Sequence, residues 1–241
     1  MAKKQFFITV DTETTLGGKV ADFAAVISDR QGNIVSQCAV LVAGSYDDRE
    51  NDPLFYDNSS GASLWSKNRL TERYAAYDCM IEAGTRMLAS PAAINSWLAK
   101  ANALYAPALT AYNLPFDLGK CTNTGIDLTM FTSRFCLWAV SCNIYAKTKA
   151  YMNFAMQTHA FNPPTKLGNM TVKTNAEVMT RFILNQPELV DEPHTALEDV
   201  LFYELPILNK IVKRFSTKKI LEISSTYNWR EFQVKNFFTA K

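Results

Sequence analysis

The run Phe6-Phe7-Ile8-Thr9-Val10 ends abruptly in Asp11-Thr12-Glu13. A short, continuous run of apolar and β-prone residues reads as a buried strand, and this one delivers its acids at its C-terminal end. Side chains alternate along a strand, so Asp11 and Glu13 point to the same face with roughly 7 Å between their Cα atoms. Two carboxylates so placed can share one or two divalent cations. Without cations, that much like charge at a strand end is costly to keep ionised.

Spacing alone proves little in a chain with 23 acidic residues. Asp48-Arg49-Glu50 repeats the Asp-x-Glu pattern, yet it lies in the polar stretch from Ser45 to Asp52 with no apolar run before it, which reads as a solvated loop. A second element, Ala108-Leu109-Thr110-Ala111-Tyr112-Asn113-Leu114-Pro115-Phe116-Asp117, is another short strand followed by Asn113 and, four residues on, Asp117. Its decoy, Asn123 with Asp127, follows no strand. The third element, Asp191-Glu192-Pro193-His194-Thr195-Ala196-Leu197-Glu198-Asp199, holds one of only two histidines, five residues before an aspartate. His159 has no partner spacing and reads as a structural or surface residue.

Thr195 with Glu198 three residues later has the form of a capping box, so a helix is expected to begin at Ala196. His194 then stands just outside the helix N-terminus and Asp199 in its first turns. The positive end of the helix dipole favours a neutral imidazole, against the pull of Asp191 and Glu192. A neutral histidine is what a general base requires.

With Asp-Thr-Glu-Thr-Thr at 11–15, Asn-Leu-Pro-Phe-Asp at 113–117 and His-Thr-Ala-Leu-Glu-Asp at 194–199, the chain from Phe6 to Phe215 resembles a family of exonucleases. These carry an Asp-Glu-Asp-Asp signature with a histidine in the last motif, and they include the proofreading epsilon subunit of bacterial DNA polymerase III, ribonuclease T and oligoribonuclease. The resemblance implies a ribonuclease H-like fold and stepwise removal of nucleotides from a 3′ end. It implies two divalent cations, Mg²⁺ or Mn²⁺. Asp11, Glu13 and Asp199 would hold the tighter one; Asp11 would bridge to the second, which Asp117 supports through water. His194 would take the proton from the attacking water. Thr14, Thr15 and Leu16 match positions that contact the terminal nucleotide, and Asn113 joins them as a candidate substrate contact.

Two-cation hydrolysis needs no covalent intermediate, and the sequence has no nucleophile elbow and no Cys-His pair in a supporting context. Net charge is only +2, but it is unevenly spread: Lys210 to Lys241 carries eight basic against two acidic residues, leaving the first 209 net negative. Leu128 to Ala176 has five basic residues and no acid, interleaved with Phe131, Phe135, Trp138, Tyr145, Tyr151, Phe154 and Phe161. Cations among aromatic rings suit a single strand, with phosphates on the charges and bases on the rings, although most of these rings are expected in the core. The expected partner is therefore a single-stranded 3′ end, DNA favoured and RNA open. A polymerase or sliding-clamp partner is also open; Gln233 to Phe238 resembles a clamp peptide only faintly, with the wrong spacing, and reads better as an ordinary amphipathic segment. A catalytically silent nucleic-acid or polymerase-binding module is the remaining alternative, and all five catalytic positions are intact against it.

At 241 residues and 48% hydrophobic, the chain can build one large domain. We expect a catalytic domain over 1–215, with an insertion at 45–64, and a basic aromatic extension over 216–241 packed on it. No apolar stretch approaches the roughly 18 residues of a membrane span, and the N-terminal run is too short for a signal peptide, so a cytoplasmic protein is expected. The five cysteines lack a CxxC pair and are expected as reduced core thiols. The fold class is α/β: a mixed five-stranded sheet with helices on both faces. Its first three strands, Phe6–Thr12, Ala21–Asp29 and Ile34–Val42, form an antiparallel meander. A helix over Trp65–Met87, another begun by Ser90-Pro91, and one capped by Thr174 with Glu177 follow. The strands are completed at Leu109–Tyr112 and near Arg134–Val140. The last helix runs from Ala196 towards Phe215, with a kink expected at Pro206.

Overall fold

The computed structural model describes residues 5–57, 64–164, 168 and 170–224. The opening run becomes β1 (Phe6–Thr14), and β2 (Val20–Asp29) and β3 (Ile34–Val42) complete the expected meander. Asp11 faces Ala24 across the β1–β2 pair, and Ala24 faces Ala39 across β2–β3. The tight turn between β2 and β3 rests on Gly32, whose φ of 92° suits a residue without Cβ and whose N–H donates to Asp29 O.

The remaining elements are α1 (Leu70–Glu82), β4 (Leu88–Ala89), α2 (Pro91–Tyr105), β5 (Ala108–Ala111), α3 (Leu114–Thr124), β6 (Arg134–Cys136), α4 (Leu137–Ser141), α5 (Lys149–Gln157), α6 (Ala176–Leu184), α7 (Ala196–Asp199), α8 (Leu205–Arg214) and α9 (Thr217–Ser224). The sheet order is β4-β3-β2-β1-β5-β6, with β1–β5, β5–β6 and β3–β4 parallel, so β2 alone runs against the others. Six strands replace the expected five. The extra one, β4, has two residues and lies between the helix expected over 65–87 and the one begun by Ser90; it forms because Leu88 and Ala89 pair with the open edge of β3 at Leu41 and Val42.

Alternation along β1 divides the core. Ile8 and Val10 face a layer built on Ile94 and Leu98 of α2 and Leu114 and Cys121 of α3. Phe7 faces the opposite layer, with Leu137, Tyr151, Met179, Leu197 and Leu208 from α4 to α8. Asp11 and Glu13 belong by parity to this second face. The expected insertion is not simply a solvated loop: Tyr46 and Leu54 are buried with Leu41 and Tyr77 in a third, smaller cluster. The described part of the expected extension forms α9, whose Ile220 is buried in the layer of α4 to α8. The clamp-like peptide at 233–238 lies outside the described residues.

Several local expectations are met and several corrected. Ser90 caps α2 by accepting the Ala93 N–H, with Pro91 in the first turn. The helix expected over 65–87 is confined to 70–82. The strand near Arg134 stops at Cys136, and Leu137 to Ser141 turn helical as α4. Helix α6 is entered through Asn175 rather than Thr174, because the Thr174 hydroxyl and carbonyl are taken by Trp138 Nε1 and the Tyr112 hydroxyl, while Glu177 pairs with Arg181 at 2.7 Å. The five cysteines are free. Among the described residues no helix is long and apolar enough to cross a membrane.

Candidate active site

Because β1 and β5 run parallel, their C-terminal ends open on the same side of the sheet, where a cleft forms between elements that leave in different directions. This cleft, of about 390 Å³, is lined by Asp11, Glu13, Asp117, His194 and Asp199, the five residues singled out by their order in the sequence. The two layers of the fold meet here. Asp11 and Glu13 arrive on the face of α7 and α8, whereas Asp117 arrives on α3 from the opposite layer. Thr12, pointing to that layer, donates its hydroxyl to Asp117 Oδ1 at 2.8 Å and so fixes the aspartate over the strand end.

The third motif is held differently from the capping box its sequence suggests. Thr195 is the N-cap residue of α7, but its hydroxyl donates to Glu198 Oε2 at 2.7 Å and caps no backbone N–H. That role falls to Asp22, fully buried on β2 beside Glu13, whose Oδ2 accepts the Ala196 N–H at 2.9 Å. Arg86 lies between, 3.5 Å from Asp22 Oδ1 and 2.5 Å from Glu198 Oε2. The caps differ because the acid that satisfies the helix comes from another strand, beyond the reach of any local pattern. His194 adopts a left-handed backbone, φ 56°, just before the helix.

His194, Glu13 and Asp199 bring one ligand atom each within 4.8 Å of one another, a spacing that a single divalent ion can bridge. His194 Nδ1 stands 4.0 Å from Asp199 Oδ2. The imidazole is pushed down to about 4, first by burial and then by the charge of Arg73, so it is neutral at ordinary pH. Its ring packs against Trp65 at 4.7 Å between centroids, and Arg73 stacks on the other ring system at 4.5 Å.

Sequence reasoning missed two further acids. Glu192 and Glu204 line the same cleft. Burial is the first cause that raises every carboxyl here, and neighbouring acids add to it: Asp11 to about 7, Glu192 to about 8, Asp199 to about 10, and Glu13, Asp117 and Glu204 well above the usual carboxylate range. Asp11 Oδ2, Asp199 Oδ1 and Glu204 Oε2 are buried without a hydrogen-bond partner among the described residues. Oxygen atoms so concentrated and so poorly provided with donors suit hard divalent cations, which would let the acids ionise. The residues present therefore fit such ions.

The predicted substrate contacts separate. Thr14 lines the cleft. Thr15 does not; it is buried, and its hydroxyl donates to Asp52 Oδ2 at 2.8 Å. Leu16, 44% exposed, is anchored through its N–H to Pro53 O. Asn113, in the left-handed region at φ 80°, lines an adjoining hollow with Tyr112, Trp138, Asn162, Lys173, Thr174 and Asn175. Of the aromatics between 128 and 176, Phe131, Phe135 and Tyr151 are core, and Trp138 alone of the seven lines that hollow. The aromatic residues that face the cleft come from elsewhere: Phe55, Trp65, Tyr112 and Phe116, the last carrying Lys120 Nζ 5.1 Å from its ring. Half-exposed aromatic side chains with no regular spacing leave no periodic signal. Comparison of the sequence with known family models and with curated proteins gives no match.

Proposed function

We propose that this chain is a 3′-to-5′ exonuclease of ribonuclease H-like fold that hydrolyses phosphodiester bonds at the 3′ end of single-stranded DNA. The observation that carries the reading is the convergence of Asp11, Glu13, Asp117, His194 and Asp199, from both layers of the fold, on one cleft where Asp11 Oδ2 and Asp199 Oδ1 are buried without a donor among the described residues. Two divalent cations bound there, Mg²⁺ or Mn²⁺, would lower the pKa of the attacking water and neutralise the departing 3′ oxygen. The chain's own residues supply the rest. Neutral His194 accepts the proton of the attacking water. Phe55, Trp65 and Phe116 offer apolar faces to bases, a mode of contact that tolerates sequence and requires unpaired nucleotides. Lys120 supplies positive charge at the mouth beside Phe116.

The test is degradation of 5′-labelled single-stranded DNA and RNA of equal sequence, with Mg²⁺ or Mn²⁺ and with chelator. A ladder that shortens from the 3′ end, abolished by chelator and by Asp11→Ala, is expected, with DNA the faster substrate. Inertness on both polymers would overturn the reading; faster cleavage of RNA would replace the sugar.

A further inference from the structure

We propose that Glu204 is a carboxylate ligand of the second cation, at the Asp117 end of the cleft. The inference rests on the two-cation reading above and adds to it a residue outside the five motif positions. Glu204 is 2% exposed and lines the cleft. Its two oxygens have different fates. Oε1 accepts the Tyr112 N–H at 3.1 Å, at the point where β5 ends, whereas Oε2 is buried with no hydrogen-bond partner among the described residues. A buried carboxylate oxygen without a donor is strongly unfavourable unless a cation meets it.

The backbone locates that cation. Glu204 is held by the Tyr112 N–H just past the end of β5, and α3, which carries Asp117, begins two residues on at Leu114. Glu13 and Asp199 stand together at one end, beside His194, with one atom of each within 4.8 Å of the others. Glu204 therefore belongs with Asp117 at the other.

The backbone is shaped to bring it there. Asp199 and Glu204 are five residues apart, a separation that an α-helix turns through to about 140° away, off the face of Asp199. Between them Val200–Glu204 form a π turn, in which the Leu205 N–H bonds to Val200 O. That wider turn carries both acids to one cleft, and such insertions in helices recur at functional sites. Pro206 then falls in the first turn of α8, where its missing N–H breaks no bond. The irregularity expected at Pro206 thus lies ahead of it, over the residues that orient Glu204.

Glu204→Gln separates a ligand from a purely structural acceptor, because an amide oxygen still accepts the Tyr112 N–H but carries no charge. The measurement is Mn²⁺ titration of the full chain by calorimetry, with the thermal midpoint as a check of folding. Wild type is expected to bind two ions, Glu204→Gln to keep one at near wild-type affinity and to bind the second at least about tenfold more weakly, and Glu13→Gln to weaken the other ion. Glu204→Asp, which keeps the charge, is expected to recover part of the lost affinity, and it serves as the test if the glutamine variant does not fold. Two ions bound by Glu204→Gln with wild-type affinities would overturn the assignment and leave the two-cation reading standing. Fewer than two bound by wild type would overturn both.

Discussion

Asp22 Oδ2 accepts the Ala196 N–H at 2.9 Å, tying the first residue of α7 to the strand that pairs with Glu13. Asp22 and Glu13 are direct cross-strand neighbours of like charge, an arrangement that is unfavourable by itself. Arg86 and the helix N-terminus offset it by meeting Asp22 from the other side. Asp22 touches no reacting atom in this scheme; it positions His194 and Asp199 against Glu13.

Asp22→Ala should therefore cost about 3 kcal/mol or more, the usual result of removing one partner from a buried ion pair. Asp22→Asn, which retains an acceptor for Ala196, should cost less. Equilibrium urea unfolding measures both. A loss below about 1 kcal/mol for the alanine variant would show that the helix holds its place without the clamp.

Cation binding should depend on pH in a defined direction. Asp11, Glu192 and Asp199 are raised to about 7, 8 and 10 in the folded chain, whereas unfolded carboxyls titrate near about 4. Between these limits the folded state holds more protons than the unfolded state. The stability these groups contribute is full below about pH 4 and declines as the pH rises towards the folded values. A divalent cation relieves that loss and competes with protons for the same oxygens. Saturating Mn²⁺ should thus raise the melting temperature more at pH 8 than at pH 5. Equal increments at both would contradict the electrostatic account.

His194 carries the opposite sign. Its folded pKa is pushed down to about 4 from an ordinary value near 6.5, so the folded chain resists a proton that the unfolded chain accepts. Stability linked to this residue is present above about 6.5 and is lost as the pH falls through 4. His194→Ala should flatten that acid limb in chemical unfolding, and should lower the cleavage rate by about 10²- to 10⁴-fold. Mn²⁺ affinity that falls in step with the rate would make His194 a ligand rather than the base.

Phe55 is 41% exposed, lines the cleft and packs edge-on against Trp65 at 5.7 Å. If it is a stacking platform, Phe55→Ala should weaken binding of a short single strand by about tenfold, within the ~1–3 kcal/mol of a base stacked on a ring. Fluorescence anisotropy with Ca²⁺ in place of Mg²⁺ reads binding apart from cleavage. Unchanged affinity would remove Phe55 from the substrate path.

What could be read from the sequence follows from how local each determinant is. The meander comes from three β-prone runs separated by short glycine-bearing turns, and the shared face of Asp11 and Glu13 from alternation within the first; β1, β2 and β3 realise both. The start of α7 at Ala196 is likewise legible, yet its cap is not, since Asp22 lies 174 residues away. Glu204 was hidden for a different reason: helical spacing directs it off the face of Asp199, and only the π turn brings it to the cleft. Thr15 and Leu16 follow the motif closely in sequence, but the chain turns at the end of β1 and bonds them to Asp52 and Pro53 instead. Strand β4 is too short to show any period at all.

The acids of the cleft are drawn from the first strand, from α3 in the middle of the chain, and from the segment between Glu192 and Glu204. During synthesis, β1, β2 and β3 leave the ribosome long before α7 and α8 exist. A nascent chain can thus complete its meander while possessing only Asp11 and Glu13 of its proposed ligand set. On the proposed reading, the protein is unable to attack nucleic acid near the machinery that makes it until its final helices have emerged and docked.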